Sequence, residues 1–498
     1  VTIFRNLDLL EDPEFGYELD YSVRGHSIGI RAETGKKPNV TIDGQDQDPW
    51  LLSDTHRENP DTGKPERGSA REFLPSHVFT YYSGKNHRIK ALFKTHLDRY
   101  LKNLDEYEEL PESETLVRRL FYCRHPHSRL VLLACLLAPE KPLKDIMQNL
   151  GIVDVDSGLF VLKKPYRLNR ELTKEEIETG DNRFWYDTTR FSQEFLEKVW
   201  TLAIAPIDHS EEREIDFRGQ SLGQELLYLF LKDREALTEL KEHVGDSYRF
   251  FQYLEGSYVA DLIDDVRIYV QRQAVGKPIC VDQLSEGELQ LLTVLGLMRI
   301  MQEDHCLFLL DEPDTHLNPI WKLRFFDEIE KALEQTPEST IKGDSQIIVT
   351  THDPMMIGSL RKEQVRILRS DGNRITVEEP DEHPQGMGVS GLLKSQFFGL
   401  RSTIDTETLR RLDRRNYLFA LGKKRSADEN RELINLSREL SELGFASDFK
   451  DPYFQKFVER MALHTQFHKP ILTPEEEAVQ DKMADEIIDK ILAEENQE

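Results

Sequence analysis

Asp311 and Glu312 stand side by side at the end of a continuous apolar run, Cys306–Leu310. Such a run reads as a strand buried on both faces of a parallel sheet, and ligands collect beyond the C-terminal ends of strands of that kind. Two adjacent carboxylates can divide the work there. Asp311, at the strand end, suits holding Mg²⁺ through its waters. Glu312, one residue on, points elsewhere and suits polarising a water for attack on a γ-phosphate. Pro313 blocks further pairing and turns the chain. A plain strand followed by an acidic turn would read the same way.

Two more segments bear on the same chemistry. Leu284-Ser285-Glu286-Gly287-Glu288 opens a helical apolar stretch, Leu289–Ile300. Ser285 is placed as the helix cap and Glu288 completes a capping box. Capping alone accounts for the motif, yet such an N-terminus also binds anions, with free N–H groups, a hydroxyl and a glycine that permits close approach. Glu286 suits a phosphate neighbour only with its side chain turned away. Later, Gln346–Thr350 reads as another buried strand, followed by Thr351-His352-Asp353-Pro354. A histidine just past a parallel strand can hydrogen-bond a γ-phosphate, although a lone histidine is more often structural. A phosphate-wrapping Gly-x-x-x-x-Gly-Lys-Ser/Thr loop is missing from the sequence. Gly84-Lys85 is followed by Asn86, with Phe79 where the first glycine belongs, and the other Gly-Lys pairs fail similarly.

The elements that must position these residues follow from pattern. Ile3, Phe4, Leu7 and Leu10 have helical spacing. Tyr17–Val23 alternates as a half-buried strand, and Ser27–Ala32 and Val40–Asp43 continue an antiparallel meander. Residues 44–70 read as a loop and His77–Tyr82 as a buried strand. From 88 to 265 the pattern reads as mostly helical, with Leu116–Leu137 as a packed helix pair and a capping box at Thr173 and Glu176. Val365–Leu368 and Arg374–Val377 read as closing strands. The rest is helical, and Thr473-Pro474-Glu475-Glu476 is a strong start for a helix carrying Val479, Met483, Ile487 and Ile491 on one stripe. The expected domains are 1–87, an N-terminal lobe; 88–265, a helical insertion; 266–380, the motif-bearing lobe; and 381–498, a helical C-terminal extension for partner binding.

Composition bounds the rest. The 498 residues are 38% hydrophobic and 31% charged, as in a soluble globular protein of two or more domains. No apolar run is long enough to span a membrane. Four scattered cysteines read as reduced residues of a cytoplasmic protein. With 65 Lys and Arg against 91 Asp and Glu, the net charge of −26 argues against coating nucleic acid indiscriminately. The local basic stretch Arg401–Arg425 reads as a solvated helix face or as a nucleic-acid patch.

The order and spacing of signature helix, acid-ended strand and strand-Thr-His resemble the ATP-binding-cassette (ABC) heads of the SMC, RecF and OLD class. Asp314-Thr315-His316-Leu317-Asn318-Pro319 resembles that class's D-loop. The resemblance implies an α/β ABC head, with an antiparallel N-terminal lobe and a parallel core, that forms a dimer sandwiching ATP. Carried over, Ser285 and Gly287 would touch the γ-phosphate in trans, with Glu288 and Asp314 also at the nucleotide. Asp311 would serve Mg²⁺, Glu312 would be the base and His352 would sense the γ-phosphate. In the family a P-loop opens the helix that Val1–Leu10 would end, so we expect a chain lacking its first few dozen residues; a natural ATP-dead head is the alternative. No long coiled coil and no Toprim-type acidic cluster are present. The segment from Gly386, with Pro75–Gly84 and Leu284–Pro319, is similar to the PtuA ATPases of Septu-type and retron-linked anti-phage systems. That likeness implies a homo-oligomer, a PtuB-like HNH nuclease partner and, in some loci, a reverse transcriptase with its msDNA. A RecF-like repair ATPase and a non-hydrolysing scaffold are the alternatives.

Overall fold

The computed structural model describes residues 1–498 apart from 59–62, 85–86, 106–118, 138–143, 145–146, 149, 188–189, 215–220, 274, 301–304, 334–344, 371, 373, 446–451, 469–473 and 496–498. The chain divides into two compact units, Val1–His352 and Asp353–Glu498.

At the heart of the first unit is a four-stranded parallel sheet in the order Gln346–Thr350, Leu307–Asp311, Val78–Tyr82, Leu120–Cys123. Register explains its cohesion. Phe308, Phe79 and Phe121 are cross-strand partners on three neighbouring strands. Their rings lie 5.6–5.7 Å apart and all three are at most 1% exposed. Aromatic rows of this kind contribute beyond their buried area. Asp311 is level with both Thr350 and Tyr82, so three strands end together at the ligand-binding edge of the sheet.

The meander forms as expected, as an antiparallel sheet of Tyr17–Val23, His26–Ala32, Asn39–Ile42 and Gln45–Gln47. Its inner face (Val23, Ile28, Ile30, Val40, Ile42) shares one core with Phe4 and Leu7 of helix Thr2–Leu9 and with Val78 and Leu120 of the parallel sheet. Asp8 of that helix is buried and accepts hydrogen bonds from His96 Nε2 (2.8 Å), Arg119 Nε (3.0 Å) and Arg99 Nη1 (3.1 Å). The segment expected to be a loop, 44–70, also carries the short hairpin His56–Glu58 and Pro65–Arg67.

The stretch 88–265 corrects the sequence reading. It holds helices, but also Leu120–Cys123 in the parallel core and the strands Ile152–Lys163, Ile207–Glu214, Ser221–Leu231 and Ile263–Arg272. With Val275–Cys280 the last four form a five-stranded antiparallel sheet. The packed helix pair expected at Leu116–Leu137 is one strand and one helix, His125–Leu137, with 106–118 outside the described residues. Leu120, Phe121, Tyr122 and Cys123 are all buried. A strand covered on both faces has no period-2 signature and cannot be told from a buried helix by pattern.

The second unit starts earlier than the expected boundary at 381. It contains the hairpin Ile367–Ser370 with Ile375–Glu378, then helices that include Thr406–Ala420, Ala427–Glu442, Pro452–Met461 and Pro474–Glu495. Ile487 and Ile491 are buried with Phe467, and Met483 packs against them. Val479, expected on the same stripe, is 49% exposed. Thr473 lies outside the described residues.

Candidate active site

The turn after Leu307–Asp311 is held in an unusual conformation. The Glu312 amide donates to Thr350 O (3.0 Å), which ties the turn to the neighbouring strand. Glu312 has φ +48°, in the left-handed region that costs a non-glycine residue about 1–3 kcal/mol. Thr315 Oγ1 donates to Glu312 O (2.9 Å) and Leu317 N to Asp314 O (3.0 Å), so the following turn fixes the strained residue from the other side. As a result Glu312 Oε1 lies 2.8 Å from His352 Nε2, with the histidine side chain largely exposed and the glutamate partly so. The structure thus joins the two residues read as base and sensor.

Asp311 accepts a hydrogen bond at Oδ1 from Thr350 Oγ1. Its other oxygen has no hydrogen bond or ion pair among the described residues. No group of three His, Cys, Asp or Glu that could cage a metal occurs among those residues. One open carboxylate oxygen beside a hydroxyl fits a cation that keeps most of its water and shares it with substrate phosphates, the habit of Mg²⁺. Asp314 is 5% exposed. It accepts from Thr351 Oγ1 (3.1 Å), and its Oδ2 lies 4.0 Å from Lys322 Nζ. These contacts brace the turn against the next strand end. Thr350 and Thr351 were not singled out from sequence, although the Thr-Thr-His order was visible.

Ser285 caps helix Glu286–Ile300 as its motif suggests. Ser285 N and Oγ donate to Glu288 Oε2 (2.8 and 2.9 Å), and Glu288 N donates to Ser285 Oγ (3.3 Å). Arg272, from the antiparallel sheet, holds the other Glu288 oxygen at 2.9 Å. Both oxygens of Glu288 are therefore engaged in fixing the cap. Among the described residues the first-turn amides of Glu286 and Gly287 have no hydrogen-bond partner, and Gly287 is buried. Glu286 is turned toward His316, with Oε2 3.3 Å from Nδ1. Gly287 has a packing reason that the sequence did not reveal: a Cβ there would sit 2.2 Å from the His316 carbonyl oxygen. The signature helix and the 314–319 turn are thus locked together, backbone against backbone.

The outer edge of Gln346–Thr350 has no neighbour strand among the described residues. Ile348 is 47% exposed on this apolar strand, unlike the centre of a parallel sheet.

The basic stretch Arg401–Arg425 is largely self-satisfied. Arg401 pairs with Asp413 (2.7 Å), Arg410 and Arg411 with Glu407 (2.9 and 3.0 Å), and Arg414 with Glu432 on the next helix (2.7 Å). Arg415 is 6% exposed, and burial lowers its pKa. The solvated, ion-paired reading of this helix fits these contacts.

Comparisons with known proteins bear on the family. The family model described as "AAA domain, putative AbiEii toxin, Type IV TA system" matches residues 275–357, the span from the approach to the signature helix to just past His352. The chain is 32% identical over 136 residues to the Septu protein PtuA of Bacillus mycoides (strain KBAB4), covering 27% of this chain and 17% of the relative. It is 23% identical over 249 residues to the Retron Vc95 probable ATPase of Vibrio cholerae serotype O1 biovar El Tor, covering 46% of this chain and 40% of the relative. The chain thus spans less than two thirds of either relative. Among the described residues no helix is long and apolar enough to cross a membrane. In motif order, mixed α/β fold and these matches, the chain resembles an ABC-type ATPase of anti-phage defence type.

Proposed function

We propose that this chain is the ATP-binding and hydrolysing subunit of an anti-phage defence complex, and that its nucleotide state controls a partner nuclease of the HNH type. The observation that carries the ATPase reading is the Glu312–His352 contact at the level of Asp311, on two strands that end together. In this reading Glu312 takes the proton of the attacking water, and His352 holds Glu312 in place and faces the γ-phosphate. Asp311 would hold Mg²⁺, which supplies charge neutralisation for phosphoryl transfer. Ser285 and Gly287 would meet the γ-phosphate of a second copy, so two heads close around each ATP. Asp314 and Glu288 act by bracing the turn and the cap.

Control of a nuclease follows if ATP favours one assembly over another. The relatives' names, Septu PtuA and a retron ATPase, support a defence setting. The test mixes the nuclease with wild-type and Glu312→Gln chains across ATP concentrations. Equal cleavage in both at every concentration rejects the gating reading. Absence of ATP turnover by the full-length protein, with nuclease assembly intact, would favour the scaffold instead.

A further inference from the structure

A cavity of about 500 Å³ lies beyond the ends of Val78–Tyr82 and Leu120–Cys123, and its far wall is the first turns of the signature helix and His316. Its volume is typical of a small-ligand site. Tyr81, Tyr82 and Tyr122 give it an aromatic wall. Tyr122 is itself fixed by stacking on Phe93, with centroids 5.3 Å apart and planes at 20°. Burial pushes the Cys123 thiol up to about 12 against the opposing pull of Arg124, so Cys123 lines the cavity as a neutral group.

Gln290 also borders the cavity, 7% exposed, and its Nε2 donates to Pro313 O at 2.6 Å. Its Oε1 is buried, with no hydrogen-bond partner among the described residues. Lys90 and Arg124 also line the cavity, and Lys94 joins them in an adjoining cavity of about 250 Å³ that shares Lys90, Tyr122 and Arg124. None of the three cations has a carboxylate partner among the described residues; Arg124 meets only the Tyr258 ring, at 5.4 Å. In a chain with 91 acidic side chains against 65 Lys and Arg, three unpaired cations at one rim call for an anion. The one carboxylate among the described residues lining it, Glu286, is directed to His316.

We infer that this cavity binds a nucleoside monophosphate, separately from the ATP site. The base lies against Tyr82 and Tyr122, while the phosphate meets Lys90, Lys94 and Arg124. A purely apolar ligand leaves the cations unmatched, and a bare anion leaves the aromatic wall unmatched. Gln290 also gives occupancy a route to the catalytic turn, because its other end holds the carbonyl of Pro313, the residue after Glu312.

The test is calorimetric titration of the full chain with AMP, GMP, CMP and UMP, and with adenosine and inorganic phosphate as fragments. At least one monophosphate is expected to bind saturably and one-to-one, with its fragments weaker by about tenfold or more. Arg124→Gln and Lys90→Gln, on the accessible rim, each weaken it by about tenfold. Saturating ATP with Mg²⁺ leaves it unchanged. Failure of every monophosphate to saturate overturns the inference. So does undiminished binding to a folded Lys90→Gln, Arg124→Gln double variant, or displacement of the monophosphate by ATP with Mg²⁺, which would assign the heat to the ATP site.

Discussion

His352 Nε2 sits 2.8 Å from Glu312 Oε1, bridging the ends of two adjacent parallel strands. The histidine side chain is 89% exposed and the glutamate 40%. Exposed ion pairs contribute about 0–1 kcal/mol, so this contact serves positioning more than stability. His352→Ala is expected to leave the thermal midpoint within error and to lower ATP turnover by about a hundredfold, within the span of acid–base contributions. His352→Gln, which keeps an N–H donor, should recover part of the rate. A large drop in stability with unaltered turnover would refute the positioning role.

Glu312 lends itself to a trade between strain and chemistry. Its φ of +48° is tolerated freely by glycine. Glu312→Gly is expected to abolish turnover and to raise unfolding stability by about 1 kcal/mol, a stability–function exchange of a familiar kind. Glu312→Gln keeps the strain, so it should abolish turnover without the gain. Denaturant midpoints of the two variants settle the comparison.

Gly287→Ala places a methyl 2.2 Å from the His316 carbonyl oxygen. Backbone must move on one side or the other, at a cost of about 1–3 kcal/mol. Chemical denaturation of the variant should show that loss, whereas a neutral result would mean the signature helix is not locked to the 314–319 turn.

Asp8 predicts an acid limit to stability. Burial alone would push its carboxyl up, but the His96 hydrogen bond and the charges of Arg119, His96 and Arg99 hold it below its ordinary value of 3.8. A carboxyl with a depressed folded pKa contributes stability that is complete above its unfolded value and is lost as the pH falls through the folded one. Asp8→Asn leaves the buried Arg119 uncompensated and should cost about 3–5 kcal/mol at neutral pH. The gap between variant and wild-type urea midpoints should narrow below pH 3.8. A gap that stays constant into acid would rule out this source.

Neutralising Arg410, Arg411 and Arg414 tests the RecF-like alternative. Each is paired with a glutamate on its own or the next helix. The salt dependence of any duplex binding should not change in the triple variant; a slope reduced by about 0.9 per residue removed would place phosphates there.

The sequence showed some parts of this molecule and hid others for physical reasons. The strand Tyr17–Val23 was legible because only one of its faces is covered, which leaves alternation. The acid-ended strand and the Ser285 cap were legible because their signals are local. Ser221–Leu231 was not, since Leu222, Leu226, Leu227 and Phe230 fall at helical spacing while the residues form a strand paired on both sides. The Asp8 cluster joins residues 88 and 111 positions apart, beyond any window of pattern. Gly287 could be read as a phosphate neighbour, but its contact with His316 belongs to tertiary packing and left no trace in spacing.

The bare flank of Gln346–Thr350 has a practical corollary. With no neighbour strand among the described residues and Ile348 half uncovered, its row of amides and carbonyls is a template for pairing with any extended chain. Polypeptides prepared with this flank open should associate as concentration rises, and a lysine at Ile348 should keep them dispersed.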